Sequence, residues 1–515
     1  MKDKIDILLI SLLFLAISIF FYFWNLDNWF LWQDEANAAL LAKNILKFGY
    51  PYVFDSKNLI WPGWTDVSFK YFYWILWGWL PLYFNALIFY LFGATTFTAR
   101  FSSALTGIIF VQLLFQIMIR IKLPKATAFW SSFMVLFSVL LSLFFRQCGY
   151  YAFTVFFSCL MILIYSGFKP GRKRTLYFFL CSLALLNTHL LIWGIVILSI
   201  TIAILFIERD IKPSLKFAGL NFMMLSPFLY LYQVWQLFER TSYGNKDVVP
   251  YWQRFLFYIR SIEISLIPWW FAVILLFCLF YFKKSFKDIE KKILLQSLVL
   301  IITTFIFIPL LTRYIYLRYI LMIIPIILMS VSIISVRIFQ NQRILGILMF
   351  IIIIYFNILG FKKGGDNVRF SQLRQFYYEL THKGDDVNKG IVNYLKEHAK
   401  SEDTVLCNYG DFPIIFYTDL IVRGGPGRIG AGYDLISDKF NIVALNKPDW
   451  IIMRNNWKYL YPEKQFENIL KNHSYKKIIL DIEDDAWGNR PSIFYHFFIT
   501  RLVKNPVIIY KLIKS

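Results

Sequence analysis

The sequence predicts a polytopic α-helical membrane protein of about 11 transmembrane helices with a C-terminal extracytoplasmic α/β domain. Three observations carry this expectation. Hydrophobic residues make up 58% of the 515 and charged residues 17%, against roughly 45–50% and about 25% in soluble domains. The apolar residues gather into runs suited to crossing about 30 Å of hydrocarbon. From about Lys362 onward, residues 362–515 revert to the mixed composition of a soluble fold, so the chain divides into a membrane part at 1–361 and an outer domain.

The apolar runs lie at 6–24, 98–119, 126–143, 149–167, 176–190, 191–207, 217–238, 266–282, 293–311, 318–336 and 344–361. A further stretch at 71–93 holds Trp74, Trp77, Trp79 and Pro81, which suit an interface as much as a span. Loop charge decides its placement. With Lys2 and Lys4 inside and 71–93 on the outer face, the cytoplasmic connections carry Arg120, Lys122, Lys125, Lys169, Arg172, Lys173, Arg174, Arg209, Lys212, Lys216, Lys283, Lys284, Lys287, Lys291, Lys292, Arg337 and Arg343. These outnumber Arg100, Arg146, Arg240, Lys246, Arg254, Arg260, Arg313 and Arg318 outside, as the positive-inside bias requires. The expected orientation in the cell (inner) membrane is therefore N-terminus in, residues 362–515 out. The first run meets no small-residue cleavage site and is expected to stay as a span.

A formal charge of +22 would suggest nucleic acid for a soluble chain. Here the basic residues cluster in short loops between apolar runs, so the expected partner is the bilayer and no nucleic acid. Cys148, Cys159, Cys181, Cys278 and Cys407 follow neither disulfide nor zinc spacing.

In the outer domain, Asp386–Lys400 reads as a helix, Thr404–Cys407 as a strand and Pro413–Tyr417 as a short helix or loop. Strands are expected at Trp450–Met453, Lys477–Leu480 and Val507–Tyr510, with a helix near Glu463–Lys471. Alternating elements of this kind suggest a small α/β fold.

The long first outer loop, 25–80, contains Trp32-Gln33-Asp34-Glu35-Ala36. Ala38, Leu41, Ile45 and Phe48 follow at helical spacing, with Asn37, Asn44 and Lys47 on the other side, which predicts an amphipathic helix along the outer membrane face. Gly49 and Pro51 stop it. Asp34 and Glu35 thus stand at the helix start near headgroup level. Two readings are open: Asp34 as N-cap with Glu35 favoured by the helix dipole, or a catalytic acid.

The W-x-D-E-A segment followed by a helix and G-x-P resembles the opening loop of the GT-C glycosyltransferases, in particular the protein O-mannosyltransferase and aminoarabinose-transferase branch, whose donors are polyprenyl-phosphate-linked sugars. Pro81-Leu82-Tyr83, Leu91-Phe92-Gly93 and Ala99-Arg100-Phe101-Ser102-Ser103-Ala104-Leu105 are similar to that family's P-L-Y, F-G and A-R-x-x-S-A-L sequence. Arg146 to Tyr151 resembles its second outer motif, and Arg318-Tyr319 with Pro325 its R-Y…P. Lys447-Pro448-Asp449-Trp450-Ile451-Ile452 and Asn489-Arg490-Pro491 are similar to outer domains of bacterial members. Two positions depart from the pattern. Gly149-Tyr150-Tyr151 stands where some relatives carry an acid, which leaves a second carboxylate or metal ligand unassigned, and Leu80-Pro81 replaces a double proline.

The resemblance implies a membrane glycosyltransferase that moves a sugar, with inversion, from a polyprenyl-phosphate donor to an extracytoplasmic acceptor hydroxyl on lipid, glycan or protein. Such a reaction needs a carboxylate to take the attacking group's proton, with Asp34 the candidate general base and Glu35 a secondary group. The leaving phosphate is a stable anion and needs positive charge rather than a general acid. Arg146, Arg254, Arg260, Arg313, Arg318 and Lys70 are the candidates, arginine because its planar fork grips phosphate oxygens in pairs. His189, in an Asn-Thr-His turn, is a candidate phosphate or metal ligand.

Each has a plainer reading beside it. Arg254, Arg260, Arg313, Arg318 and Lys70 suit snorkelling at the interface, His189 suits backbone hydrogen bonding, and Arg100 suits an ion pair with the first loop. The 239–263 connection reads as a cover over substrate or as a solvated loop. No organic cofactor is implied, and a divalent metal is left open. Competing readings are an O-antigen-ligase-like transferase with a diphosphate donor, a transporter or flippase, and a scaffold with an outer sensing domain. Ionisable groups at span ends rather than mid-span weigh against transport.

Overall fold

The computed structural model describes residues 2–60, 72–208, 211–233, 249–312, 315–363, 369–384, 386–424, 446–454, 463–485, 488–491, 496, 498–499 and 502–513. Among them a helix occupies each apolar run, with bounds shifted by a few residues. Five are long and apolar enough to cross a membrane unaided: Lys4–Phe23, Thr96–Arg120, Leu190–Ile207, Asp288–Leu311 and Ile323–Asn341.

Two bent pairs bring the total to 7: Lys125–Leu136 with Val139–Phe145, turned by 64°, and Tyr251–Ser265 with Trp269–Tyr281, turned by 85°. The run expected as one helix at 126–143 is therefore broken at Phe137–Ser138, where Ser138 is extended. The second bend falls at Leu266–Pro268, because proline lacks the N–H a continuous helix would use and pushes the preceding residue out of helical conformation. Length and composition support five to seven crossings; the fuller count from hydropathy adds Ile211–Leu231, which has the length, and Tyr151–Gly167, Arg172–Leu186 and Arg343–Ile353, which are shorter than a straight crossing needs. Leu80–Phe92 belongs with these at about 20 Å, in keeping with an interfacial 71–93.

The chain forms two compact units: Met1–Trp24, Ser103–Leu231 and Thr241–Leu380 in one, and Asn25–Ser102, Tyr232–Arg240 and Thr381–Ser515 in the other. In the first, Arg337 Nε reaches both carboxylate oxygens of Glu290 at 2.9 and 2.7 Å, tying the start of Asp288–Leu311 to the end of Ile323–Asn341. Strands β1 (Phe361–Lys363) and β2 (Arg369–Ser371) form an antiparallel pair after the last apolar helix.

The second unit contains a five-stranded mixed sheet of β3 (Thr404–Cys407), β4 (Ile421–Gly424), β5 (Trp450–Ile452), β6 (Tyr475–Glu483) and β7 (Pro506–Leu512), in the order β4-β3-β5-β7-β6. β3 is parallel to β4 and β5, while β7 is antiparallel to β5 and β6. Leu406, Ile451 and Phe466 pack one face of this core. The helices Val387–His398 and Glu463–Asn472 and four of the strands fall where the sequence places them. β4 is an addition: Gly424 is required there because a Cβ would collide with the Cys407 carbonyl oxygen of the neighbouring strand.

The Gln33–Phe48 helix also lies in the second unit, and its surroundings correct the expectation of a half-solvated surface helix. Asn37 and Asn44, expected on an outward polar side, are 2% and 3% exposed. The helix packs against Leu80–Phe92 and Asp411–Tyr417 of the same unit. The small side chains of Ala36, Ala38, Ala39 and Ala42 permit that close approach, and Asn44 spends its amide on the Tyr52 carbonyl at 2.6 Å. Gly49, left-handed at φ 81°, ends the helix by donating to Ile45 O.

Candidate active site

In the second unit, Trp32 rather than Asp34 is the N-cap, so Asp34 and Glu35 are the second and third residues of the helix. Trp32 has no side-chain oxygen to offer the first amides. Glu35 supplies half of a capping box instead, its carboxylate accepting from the Trp32 N–H at 3.4 Å. The same carboxylate is fully buried against Arg100, which donates from Nε at 2.8 Å and from Nη2 at 2.7 Å. Arg100 also donates to the carbonyls of Leu26 and Trp29 at 2.8 and 2.9 Å, so one guanidinium closes the loop before the helix. This is the ion pair expected of Arg100, and it places Glu35 in the framework.

Successive helix residues point about 100° apart. With Glu35 turned inward, Asp34 is left half-buried at the helix start. Its charge is felt at Tyr409, whose hydroxyl is pushed above its ordinary value by burial first, while Arg490 opposes the rise and Asp34 adds to it. Arg490 Nη2 donates to Tyr409 Oη at 2.7 Å, and its guanidinium lies 5.2 Å from the Trp32 ring centroid. Tyr409 and Arg490 are the site residues that sequence reasoning missed. Arg490 stands in the Asn-Arg-Pro segment noted for its likeness, whereas nothing in the pattern around Tyr409 marks it.

In the first unit, Arg146, a predicted phosphate ligand, is 5% exposed and directs Nη1 at the end of the first helix, toward Phe21 O at 3.1 Å and Trp24 O at 2.9 Å. The last carbonyls of a helix lack intrahelical donors, and a cation there also meets the negative end of the dipole. Arg146 thus has a structural partner set.

Three other predicted elements converge in the same unit. Arg318, in the 3-10 turn Leu317–Ile320, donates from Nη1 to Tyr151 Oη at 3.1 Å and lies 4.2 Å from the Tyr316 ring and 5.8 Å from the Tyr319 ring. His189 stacks edgewise on Tyr150 at 4.9 Å and on Tyr319 at 6.4 Å. The Arg146–Tyr151 motif, the Asn-Thr-His turn and the Arg-Tyr motif therefore build one aromatic-walled cationic nook. Arg254 donates to Thr312 O, the C-cap of Asp288–Leu311, and Arg260 is exposed on its helix. Arg313, Lys70 and residues 239–248 of the predicted covering loop lie outside the described residues, whereas the later part of that connection, from Tyr251, is helix rather than loop. Among the described residues no group of three His, Cys, Asp or Glu is placed to hold a metal ion.

No protein-family model and no curated protein matches the sequence. Solved structures do match in fold. ArnT from Cupriavidus metallidurans in the apo state aligns over 97% of both chains with TM-score 0.60 and 12% identity. The same protein bound to undecaprenyl phosphate gives TM-score 0.59, 11% identity and the same coverage. The archaeal oligosaccharyltransferase AglB from Archaeoglobus fulgidus, in complex with an inhibitory peptide and a dolichol-phosphate, aligns over 92% of this chain and 73% of its own, with TM-score 0.52 and 11% identity. The chain thus shares its fold with ArnT over nearly its whole length.

Proposed function

We propose that this chain is a polytopic membrane glycosyltransferase that moves a sugar from a polyprenyl-phosphate donor to an extracytoplasmic acceptor hydroxyl with inversion. The fold shared with a structure holding undecaprenyl phosphate, over 97% of both chains, carries the reading. The arrangement around Asp34 supports the division of labour. Glu35 is paired with Arg100, and Asp34 stands beside it, half-buried at the helix start. Asp34 takes the proton of the attacking hydroxyl as the new glycosidic bond forms and the bond to phosphate breaks. The departing phosphate dianion is met by arginine, with Arg318 in its aromatic nook the first choice and Arg254 the second.

Loop charge supports an outward-facing reaction, with residues 362–515 extracytoplasmic; an impermeant thiol reagent added outside should label a cysteine placed at Glu397 and spare one placed at Lys173. The function is tested by incubating the purified chain in lipid nanodiscs with polyprenyl-phosphate sugars and acceptor lipid, glycan or peptide. Acceptor-dependent release of polyprenyl phosphate supports the reading. No release with any donor, or release from diphosphate donors alone, overturns it.

A further inference from the structure

Resting on that reading, we propose that the C-terminal part of the chain is a positioning device for Asp34, and that Arg490 is its principal positioning residue. The segment leading into the Gln33–Phe48 helix is held at Asn28, Phe30, Leu31 and Gln33 by groups more than 350 positions away. Asn28 Oδ1 accepts from Gly384 N at 2.7 Å. Phe30 N–H donates to Asp386 Oδ2 at 2.6 Å, and Phe30 O accepts from Asn489. Leu31 N–H donates to Tyr417 Oη at 3.0 Å, while Leu31 O accepts from Asn388 Nδ2 at 3.1 Å. Gln33 Nε2 donates to Asp411 Oδ1 at 2.6 Å.

These bonds hold the backbone as far as Leu31 and the side chain of Gln33, the residue before Asp34. Arg490 adds the last constraint from the other side. Its guanidinium lies 5.2 Å from the ring centroid of Trp32, the helix N-cap, and its Nη2 donates to the hydroxyl of Tyr409 at 2.7 Å. Unlike the core residues of this unit, Arg490 is half-exposed, so the sheet does not need it for burial. Serving one ring by cation–π contact while donating a directed bond to a second suits the wide guanidinium better than a point-charge ammonium on a flexible stem. A base displaced by about 1 Å from its working position loses about 10²-fold in rate.

The test compares Arg490→Ala, Arg490→Lys and Tyr409→Phe with wild type in nanodiscs, reading kcat and KM with the polyprenyl-phosphate sugar that wild type turns over, together with thermal unfolding and binding of undecaprenyl phosphate. Arg490→Ala should lower kcat about 10²-fold with donor KM and lipid-phosphate binding unchanged. Arg490→Lys should not rescue it, and Tyr409→Phe should fall in the same direction. Wild-type kcat per folded molecule in Arg490→Ala, or full rescue by lysine, overturns the proposal. A loss confined to donor KM overturns it too, because that marks a substrate contact. Should Arg490→Ala not fold, Arg490→Lys and Tyr409→Phe decide by the same split. An active Asp34→Asn would sink the underlying function, whereas an inactive Asp34→Asn beside an active Arg490→Ala sinks the positioning role alone.

Discussion

Arg100 grips Glu35 with two hydrogen bonds of 2.8 and 2.7 Å, and the two side chains are 4% and 0% exposed. Adjacent acids in the Trp-Gln-Asp-Glu segment therefore have opposite fates: one is locked into the framework and the other is left at the helix start. Glu35→Gln leaves the Arg100 cation buried without its counter-charge, a change that typically costs about 3–5 kcal/mol. We expect a lower unfolding temperature and a reduced yield of folded protein, with kcat per folded molecule near wild type. A stable Glu35→Gln with lost turnover would return Glu35 to the chemistry.

Arg146 is expected to behave as a helix-end cap. Removing it in Arg146→Ala strips donors from the carbonyls of Phe21 and Trp24, at a cost of about 1–3 kcal/mol for buried groups left unsatisfied. Thermal unfolding should register that loss while the KM for lipid-phosphate donor stays put. A raised KM with unchanged unfolding temperature would assign Arg146 to the phosphate.

For Arg318 the expectation is reversed. If its fork meets the leaving phosphate, Arg318→Lys keeps the charge but loses paired, directed bonds, and single-turnover transfer at saturating donor should fall by about 10²–10³. A snorkelling arginine would tolerate lysine, so a near-normal rate removes Arg318 from the chemistry and leaves Arg254 to be tested.

Asp386 links the C-terminal residues of the second unit to the segment before the Gln33–Phe48 helix and carries a pH signature. Burial raises its carboxyl above the ordinary 3.8, against the Lys389, Phe30 and Asn388 amides and the Arg100 charge that favour ionisation. The folded chain thus holds this proton to a higher pH than the unfolded chain does. Between 3.8 and the raised folded value, stability falls as pH rises, and below 3.8 the contribution is constant. Asp386→Asn keeps one oxygen, enough for either Phe30 N–H or the Lys389 cap amide but not both; that loss is a pH-independent offset, because asparagine does not titrate. Unfolding measured across the acid range should show the wild-type advantage over Asp386→Asn shrinking as pH rises; a growing advantage contradicts the burial account.

The sequence made the apolar helices and most of the C-terminal sheet legible for separate physical reasons. Long apolar runs leave few alternatives to helices, and β5 and β7 announce themselves as Trp450-Ile451-Ile452 and Val507-Ile508-Ile509. β4 was hidden because Ile421-Val422-Arg423-Gly424 is short and ends on a glycine chosen for close approach rather than strand preference. The Gln33–Phe48 helix shows a stronger limit. Its periodicity was plain, but Asn37 and Asn44 are buried in a helix that packs against both Leu80–Phe92 and Asp411–Tyr417, and local pattern cannot supply such partners. The same distance in sequence concealed Tyr409 and Arg490, whereas the Asp-Glu pair was visible because both residues stand together at one helix start.

The account turns on Asp34 as the base, and the most direct measurement is single-turnover sugar transfer by Asp34→Asn at saturating donor. Asparagine preserves the shape of the side chain and cannot accept the hydroxyl proton. Loss of a positioned base typically costs about 10²–10⁴ in rate. The expected result is a fall of that size with unchanged unfolding temperature and unchanged binding of undecaprenyl phosphate. Transfer by Asp34→Asn within about twofold of wild type would contradict the account.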